Sequence, residues 1–173
     1  MTLAGHKPEE ELELLRDYLE WDPRKTWFVD HDLHSTVRQA LDRTRERWPG
    51  VNTENRGLLG VLGEIPALGF INLDFMGYST SSNVLPCLEL AAQKLLKGGV
   101  LGLTWFRGRE ASHHTSFRAV LTATTDHKNL NDRRWAGTLR VIHKKTRGVL
   151  ELAEAVEYQN HHSPMSLTVF IKR

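Results

Sequence analysis

The segment FINLDFMGY, Phe70–Tyr78, sets four strand-forming residues ahead of an aspartate, and Phe75, Met76, Gly77 and Tyr78 follow it. Phe, Ile and Leu suit a buried strand, but a carboxylate has no place inside one. An acid is accommodated where a strand leaves the sheet. In open α/β sheets the carboxyl ends of parallel strands are also where ligands bind. The fold therefore turns on whether FINLD belongs to a parallel sheet.

The flanking sequence says that it does. Upstream, MTLAG is a short apolar run ended by Gly5, and PEEELELLRDYLE places Leu12, Leu15 and Leu19 at helical spacing with acids crowded into the first turn, where the helix dipole favours them. KTWFVDHD then reads as a strand ending in acids, and HSTVRQALDRTRERW as a helix whose Val37, Ala40, Leu41, Thr44 and Trp48 share one face before Pro49-Gly50 stops it. A short strand at Val51 to Glu54 precedes an irregular connection or brief helix. Downstream of FINLDF, a turn rich in Ser, Thr and Asn leads to a helix LPCLELAAQKLL closed by Gly98-Gly99, then to the strand VLGLTWF. Helical segments are expected around Thr115 to Thr124 and Asp132 to Lys145. LELAEAVEYQN and SLTVFIKR, separated by His161-His162-Ser163-Pro164, close the chain as a hairpin-like pair.

Parallel strands need crossovers, and here the crossovers are helices. The alternation predicts an α/β fold: a Rossmann-like, mostly parallel sheet with helices on both faces and a closing antiparallel strand. At 173 residues, 40% hydrophobic and 25% charged, residues 1–173 are expected to form one domain. Cys87 is the single cysteine, so an intramolecular disulfide and a cysteine-rich zinc site are both excluded. No apolar run approaches the roughly 20 residues that span a bilayer, and the N-terminus is acidic where a signal peptide is basic. A cytoplasmic protein with no membrane partner is expected.

Charge is uneven. Residues 1–93 hold 9 Lys/Arg against 15 Asp/Glu, and residues 94–173 hold 14 against 6, within a whole-chain net of +2. Arg107, Arg109, Arg133, Arg134, Arg140, Lys144, Lys145 and Arg147 suit an anionic partner such as nucleic acid. They equally suit solvated helix faces.

The arrangement resembles the class I S-adenosylmethionine-dependent methyltransferases, over essentially the whole chain. That resemblance implies a seven-stranded sheet with its last strand antiparallel, and S-adenosylmethionine as cofactor. It also implies roles at the strand ends. Gly5 would let the backbone approach the cofactor, although the family's usual Asp/Glu-x-Gly-x-Gly-x-Gly loop is represented here by that one glycine. Asp30, with Asp32 as its rival, would take the ribose hydroxyls; Glu54 or Asn55 would meet the adenine; Asn72 and Asp74 would face the substrate. Asp-Phe-Met-Gly-Tyr is similar to the Asp-Pro-Phe-Gly and Asp/Asn-Pro-Pro-aromatic motifs of enzymes that methylate exocyclic amines, without the proline. Asp74 would then accept a hydrogen bond from the amine, and Phe75 or Tyr78 would be a platform for a planar base.

Plainer roles fit the same residues. Asp74 suits a turn cap and Phe75 a core position; Asp30 and Asp32 suit the free N–H groups at the start of the following helix. The pairs His113-His114 and His161-His162, with His31 and His34, do not supply the three or four converging ligands of a zinc site, so no metal is assigned. No Gly-x-Ser-x-Gly elbow and no phosphate-cradling Gly-x-x-x-x-Gly-Lys-Ser/Thr is present. The functional expectation is a methyltransferase acting on an amino group of a nucleic-acid base, as a homo-oligomer or with a partner subunit. The alternatives are a catalytically silent module of the same fold serving a partner subunit, and a binder of another adenine nucleotide.

Overall fold

The computed structural model describes residues 2–3, 12–13, 16–17, 22–29, 35–74, 84–106, 130–160 and 163–173. The chain forms two compact units, Met1–Ile65 and Pro66–Arg173.

In the first unit, β1 (Thr2–Leu3), β2 (Trp27–Val29) and β3 (Asn52–Glu54) lie in the order β3-β2-β1, all parallel. The registers Leu3↔Val29 and Val29↔Glu54 align their carboxyl ends. A 3-10 turn at Pro23–Lys25, capped by the Asp22 carboxylate accepting from the Arg24 backbone N–H, launches β2 and was not expected from the sequence. Helix α1 (Ser35–Arg47) buries Ala40, Leu41 and Thr44 as its periodicity predicts, and Gly50 takes φ 102° beyond its end. Leu12, Phe28, Leu41 and Val51 form the core, with Trp48 against it. The Arg16 and Arg47 guanidiniums lie over the Trp48 ring at 5.5 and 5.9 Å, where the electron-rich ring face attracts cations. The connection after β3 is a helix, α2 (Leu58–Glu64), which buries Val61 and Leu62.

In the second unit, β4 (Leu68–Asp74) pairs in parallel with β5 (Leu95–Phe106), as FINLD required. β7 (Ser163–Lys172) is antiparallel to both β5 and β6 (Leu150–Asn160), giving the order β4-β5-β7-β6. The closing antiparallel strand is therefore present, and the family-like α/β architecture stands. Helix α3 (Val84–Lys94) buries Val84, Cys87, Leu88, Ala91 and Ala92, a stripe at helical spacing. It packs against α4 (Leu130–Lys145). Burial raises the Cys87 thiol above its ordinary value, which keeps it protonated and inert. The core side of the sheet carries Ile71, Leu73, Leu101, Leu103 and Phe170.

Three boundaries differ from the sequence reading. Gly98-Gly99 does not close α3, which ends at Lys94; β5 starts at Leu95 and carries an irregularity in which Gly98 takes φ 77°. Gly99 is needed there because an added Cβ would meet Leu96 O at 2.8 Å and Gly69 O at 2.9 Å. β7 begins at Ser163, since the hairpin register continues to Asn160↔Ser163. The segment expected to be helical around Thr115 to Thr124 lies outside the described residues.

Candidate active site

Parallel pairing brings Asp74 opposite Thr104, and Asn72 opposite Gly102. Partners across a sheet share a face. Asn72, Asp74, Gly102 and Thr104 thus share the face opposite Ile71, Leu73, Leu101 and Leu103. Both strands run toward Asp74 and Thr104, so these two stand at carboxyl ends.

The hairpin extends this row. Thr104 pairs with Leu167, and Leu167 with Val156, so Val156 and Tyr158, two residues on, lie on the same face. Tyr158 is near the end of β6, which runs parallel to β5 because each is antiparallel to β7. Its ring reaches back across β7. The phenol comes near enough to feel both the buried Thr104 hydroxyl and the Asp74 charge.

Electrostatics ties the three groups together. Asp74 keeps much of its surface in contact with solvent, yet the protein around it desolvates the carboxylate and raises its pKa above the ordinary aspartate value. The Tyr158 phenol is also raised, chiefly by partial burial and then by the Asp74 charge; the Thr104 hydrogen bond pulls the other way. A carboxylate on β4 and a phenol on β6 that feel one another mark a polar focus at the carboxyl ends of these strands. Phe70, Val156 and Ile171 leave apolar surface exposed on that face.

Other predicted residues divide sharply. Glu54 ends β3, and its carboxylate accepts from Arg56 Nε at 3.1 Å; the same guanidinium grips Glu64 with bonds of 3.0 and 2.6 Å. Asn55 is exposed beside it. Gly5, Asp30, Asp32, Phe75 and Tyr78 lie outside the described residues, as do His31, His34, His113, His114, His161 and His162. Thr104 and Tyr158 were missed by the sequence reading. Neither carries a local signal: each is one polar position in a strand, and only the sheet register sets Thr104 opposite Asp74 and Tyr158 on the same face. Among the described residues no group of three or more potential metal ligands comes together, and no helix is long and apolar enough to cross a membrane.

No protein-family model matches the chain, and no curated protein matches it. Solved structures do. TrmN from Thermus thermophilus superposes with TM-score 0.64 at 11% identity, over 99% of this chain and 42% of that one. N-methyltransferase NodS from Bradyrhizobium japonicum, in complex with S-adenosyl-L-homocysteine, gives 0.57 at 13% over 99% and 75%. An S-adenosylmethionine-dependent methyltransferase from Clostridium acetobutylicum gives 0.57 at 10% over 99% and 83%.

The chain has the methyltransferase fold. In that fold, the carboxyl ends of β4 and β5, where Asp74 and Thr104 stand, are the edge at which open α/β sheets bind ligands. At these identities the likeness is one of architecture. The chemistry must be argued from the residues.

Proposed function

We propose that this protein is an S-adenosylmethionine-dependent methyltransferase whose acceptor is an amino group of a nucleic-acid base. One observation carries the reading: in a methyltransferase fold, a partly desolvated carboxylate, Asp74, stands at the carboxyl end of β4 beside a hydroxyl on β5. A turn cap would gain nothing from desolvation, which weakens an ionised group. An acceptor of a hydrogen bond from an incoming amine gains from it, because the bond strengthens where water is thinned out.

The residue types present fit the cofactor. Glu54 at the end of β3 and Asp30, next in sequence to Val29 of β2, put acids at the ends of strands that are paired in parallel. Such acids suit a ribose diol and an adenine amine. Gly102 leaves room on β5 for the Asn72 amide, which stands two residues before Asp74. In this reading Asp30, Glu54 and Asn72 hold the cofactor and the substrate edge, with Asp32 and Asn55 as neighbours in reserve and Gly5 admitting the backbone.

When bound, the cofactor supplies an electrophilic methyl group on a positively charged sulfur. Asp74 orients the acceptor nitrogen by taking a hydrogen bond from one N–H, which turns the lone pair toward that methyl group. Methyl transfer would leave positive charge on the acceptor nitrogen, next to the Asp74 carboxylate. The Asp74 carboxylate then accepts the released proton or hands it to water. Phe75 or Tyr78 would supply an aromatic face for a planar base. The basic second half supports a nucleic-acid acceptor, and TrmN, among the structural neighbours, offers analogy only.

Calorimetry with S-adenosylmethionine, S-adenosylhomocysteine and NAD tests the cofactor. Binding of the first two alone is expected. Asp30→Ala should weaken that binding by about 1.5–3 kcal/mol, the value of hydrogen bonds to a charged group. Silence toward all three ligands would establish the non-catalytic module, and NAD binding alone would establish the other nucleotide.

A further inference from the structure

β6 ends the strand order β4-β5-β7-β6 and pairs with β7 alone among the described residues. Its outer edge therefore offers a row of backbone N–H and C=O groups to another strand. At 11 residues it is about twice the usual strand length. Every residue from Glu151 to Tyr158 is exposed, on both faces of the sheet, whereas Ser166, Thr168 and Phe170 of β7 are buried. Leu152, Val156 and Tyr158 each leave more than 40% of their surface to solvent.

The usual protections of an edge are thin here. Natural edges are blunted by Pro, by Lys or by bulges, yet Leu150–Asn160 contains no Pro, Lys or Arg. The register shift in β6 lies between Leu152 and Glu154, so Glu154–Asn160 pairs with β7 residue for residue.

The acids on this edge select what it can pair with. Glu151 is engaged by Arg173, at 2.6 and 2.7 Å. Glu154 and Glu157 stand on opposite faces, because strand side chains alternate. Like charges directly opposite one another destabilise a pair of strands. For β6 of a second copy, antiparallel about a two-fold axis perpendicular to the sheet, opposing residues share a face and the axis passes through one residue. An axis at Glu154 or Glu157 sets two carboxylates opposite each other. An axis at Ala155 draws the bulged Ala153 into the ladder, opposite Glu157. An axis at Val156 uses the regular run alone: Val156 faces Val156, Glu154 faces Tyr158, and Ala155 faces Glu157. The two Val156 side chains then meet on one face, with both Tyr158 rings diagonal to them.

We propose that β6 is a self-association edge: Glu154–Tyr158 of two copies pair antiparallel about a two-fold axis at Val156, joining their sheets in the order β4-β5-β7-β6-β6-β7-β5-β4. Such an interface is isologous and closes at two copies. β6 runs parallel to β5 within each copy and antiparallel to β6 of the other, so the two Asp74 edges point in opposite directions and each copy keeps its own site. The inference does not depend on the methyltransferase reading.

The test uses the full chain. Sedimentation equilibrium at micromolar concentrations should show a dimer. Val156→Lys sets two ammonium groups opposite each other and should weaken association at least about tenfold while the circular dichroism spectrum stays that of the parent. Val156→Thr keeps a β-branched side chain without charge and should hold the dimer within about threefold.

Cysteine cross-linking reads the register. Directly opposed residues of an antiparallel pair have Cα atoms about 4.5–5.5 Å apart, within reach of a disulfide. Cys87 is buried and stays out of the reaction. With copper–phenanthroline as oxidant, Val156→Cys should give a linked dimer. Glu154→Cys and Tyr158→Cys should each stay unlinked alone and should link when the two variants are mixed.

A chain that is monomeric across that range overturns the proposal and leaves the edge to a strand of another protein. A dimer that a folded Val156→Lys variant does not weaken, or one in which Glu154→Cys links to itself as readily as Val156→Cys, overturns it as well. Should Val156→Lys fail to fold, the linking pattern of the cysteine variants decides. Cofactor binding is untouched by any of these results.

Discussion

A Cβ atom added at Gly102 would stand 2.9 Å from Asn72 Oδ1, so the side chain that this glycine lacks is the space the Asn72 amide occupies. The two are register partners on β4 and β5. The obstacle is the end of a flexible side chain, not backbone. Gly102→Ala should therefore hold or slightly raise the melting temperature, since Gly in a strand costs roughly 0.5–1 kcal/mol relative to Ala. It should lower methyl transfer by displacing the amide. Unchanged turnover would take Asn72 out of the site.

Gly99 makes the opposite case. Its added Cβ would meet two backbone oxygens, Leu96 O and Gly69 O, and Leu95 Cγ, all within 2.9 Å. Backbone at the β4–β5 irregularity cannot step aside cheaply. Gly99→Ala should destabilise by about 1–3 kcal/mol, as overpacking does. Urea unfolding measures it, and a midpoint equal to the parent's would show that the loop adapts.

Asp74 carries a stability cost that depends on pH. Its folded pKa is raised above the unfolded value by desolvation. The stabilising contribution is therefore fully present below the ordinary aspartate pKa and is lost as pH rises through the folded value. At pH 7 the ionised carboxylate is a liability. Asp74→Asn should melt higher than the parent at pH 7, and the difference should vanish toward pH 3. The same variant should keep cofactor affinity and lose turnover, and Asp74→Ala should lose at least about tenfold, or roughly 1.4 kcal/mol of barrier. A variant that melts higher yet transfers methyl groups at the parent's rate would make Asp74 a turn cap.

Thr168 and Ser166 in β7 are fully buried, and their hydroxyls have no hydrogen-bond partner among the described residues. A buried hydroxyl left unsatisfied costs about 1–3 kcal/mol. Thr168→Val keeps the shape and removes the hydroxyl, so it should raise stability by about 1 kcal/mol in denaturant unfolding. A loss of stability would mean the hydroxyl is satisfied within the fold.

The basic second half makes a prediction about salt. Lys145 is tied to Glu89 at 3.3 Å, whereas Lys144, next to it near the end of α4, is exposed. If α4 touches a nucleic acid, log affinity should fall linearly with log salt. Lys144→Glu should then reduce the slope by at least about 0.7 for each phosphate of a single strand that is no longer neutralised. A slope near zero in the parent would assign these charges to solvated surface.

Much of this molecule is legible locally. Period-2 and period-3.6 patterns placed β2, β3, β4, β6, β7 and α1, α3 and α4, because each element must bury one face whatever its partners are. Asp74 was legible for the same reason: an acid after four strand-forming residues can only be a strand end. Gly98-Gly99 misled because a glycine pair closes a helix as readily as it bends a strand, and local conformation does not distinguish the two.

The sequence by itself therefore determined the α/β alternation, the parallel β4 with its terminal aspartate, and the uneven charge. Only the tertiary structure decided what Asp74 faces. The β4–β5–β7–β6 registers set Thr104 opposite it and Tyr158 on the same face, from 30 and 84 positions further along the chain. Strand pairing is non-local, and a slip of one residue in any of the three registers would turn these side chains to the opposite face, so no local pattern can encode their meeting.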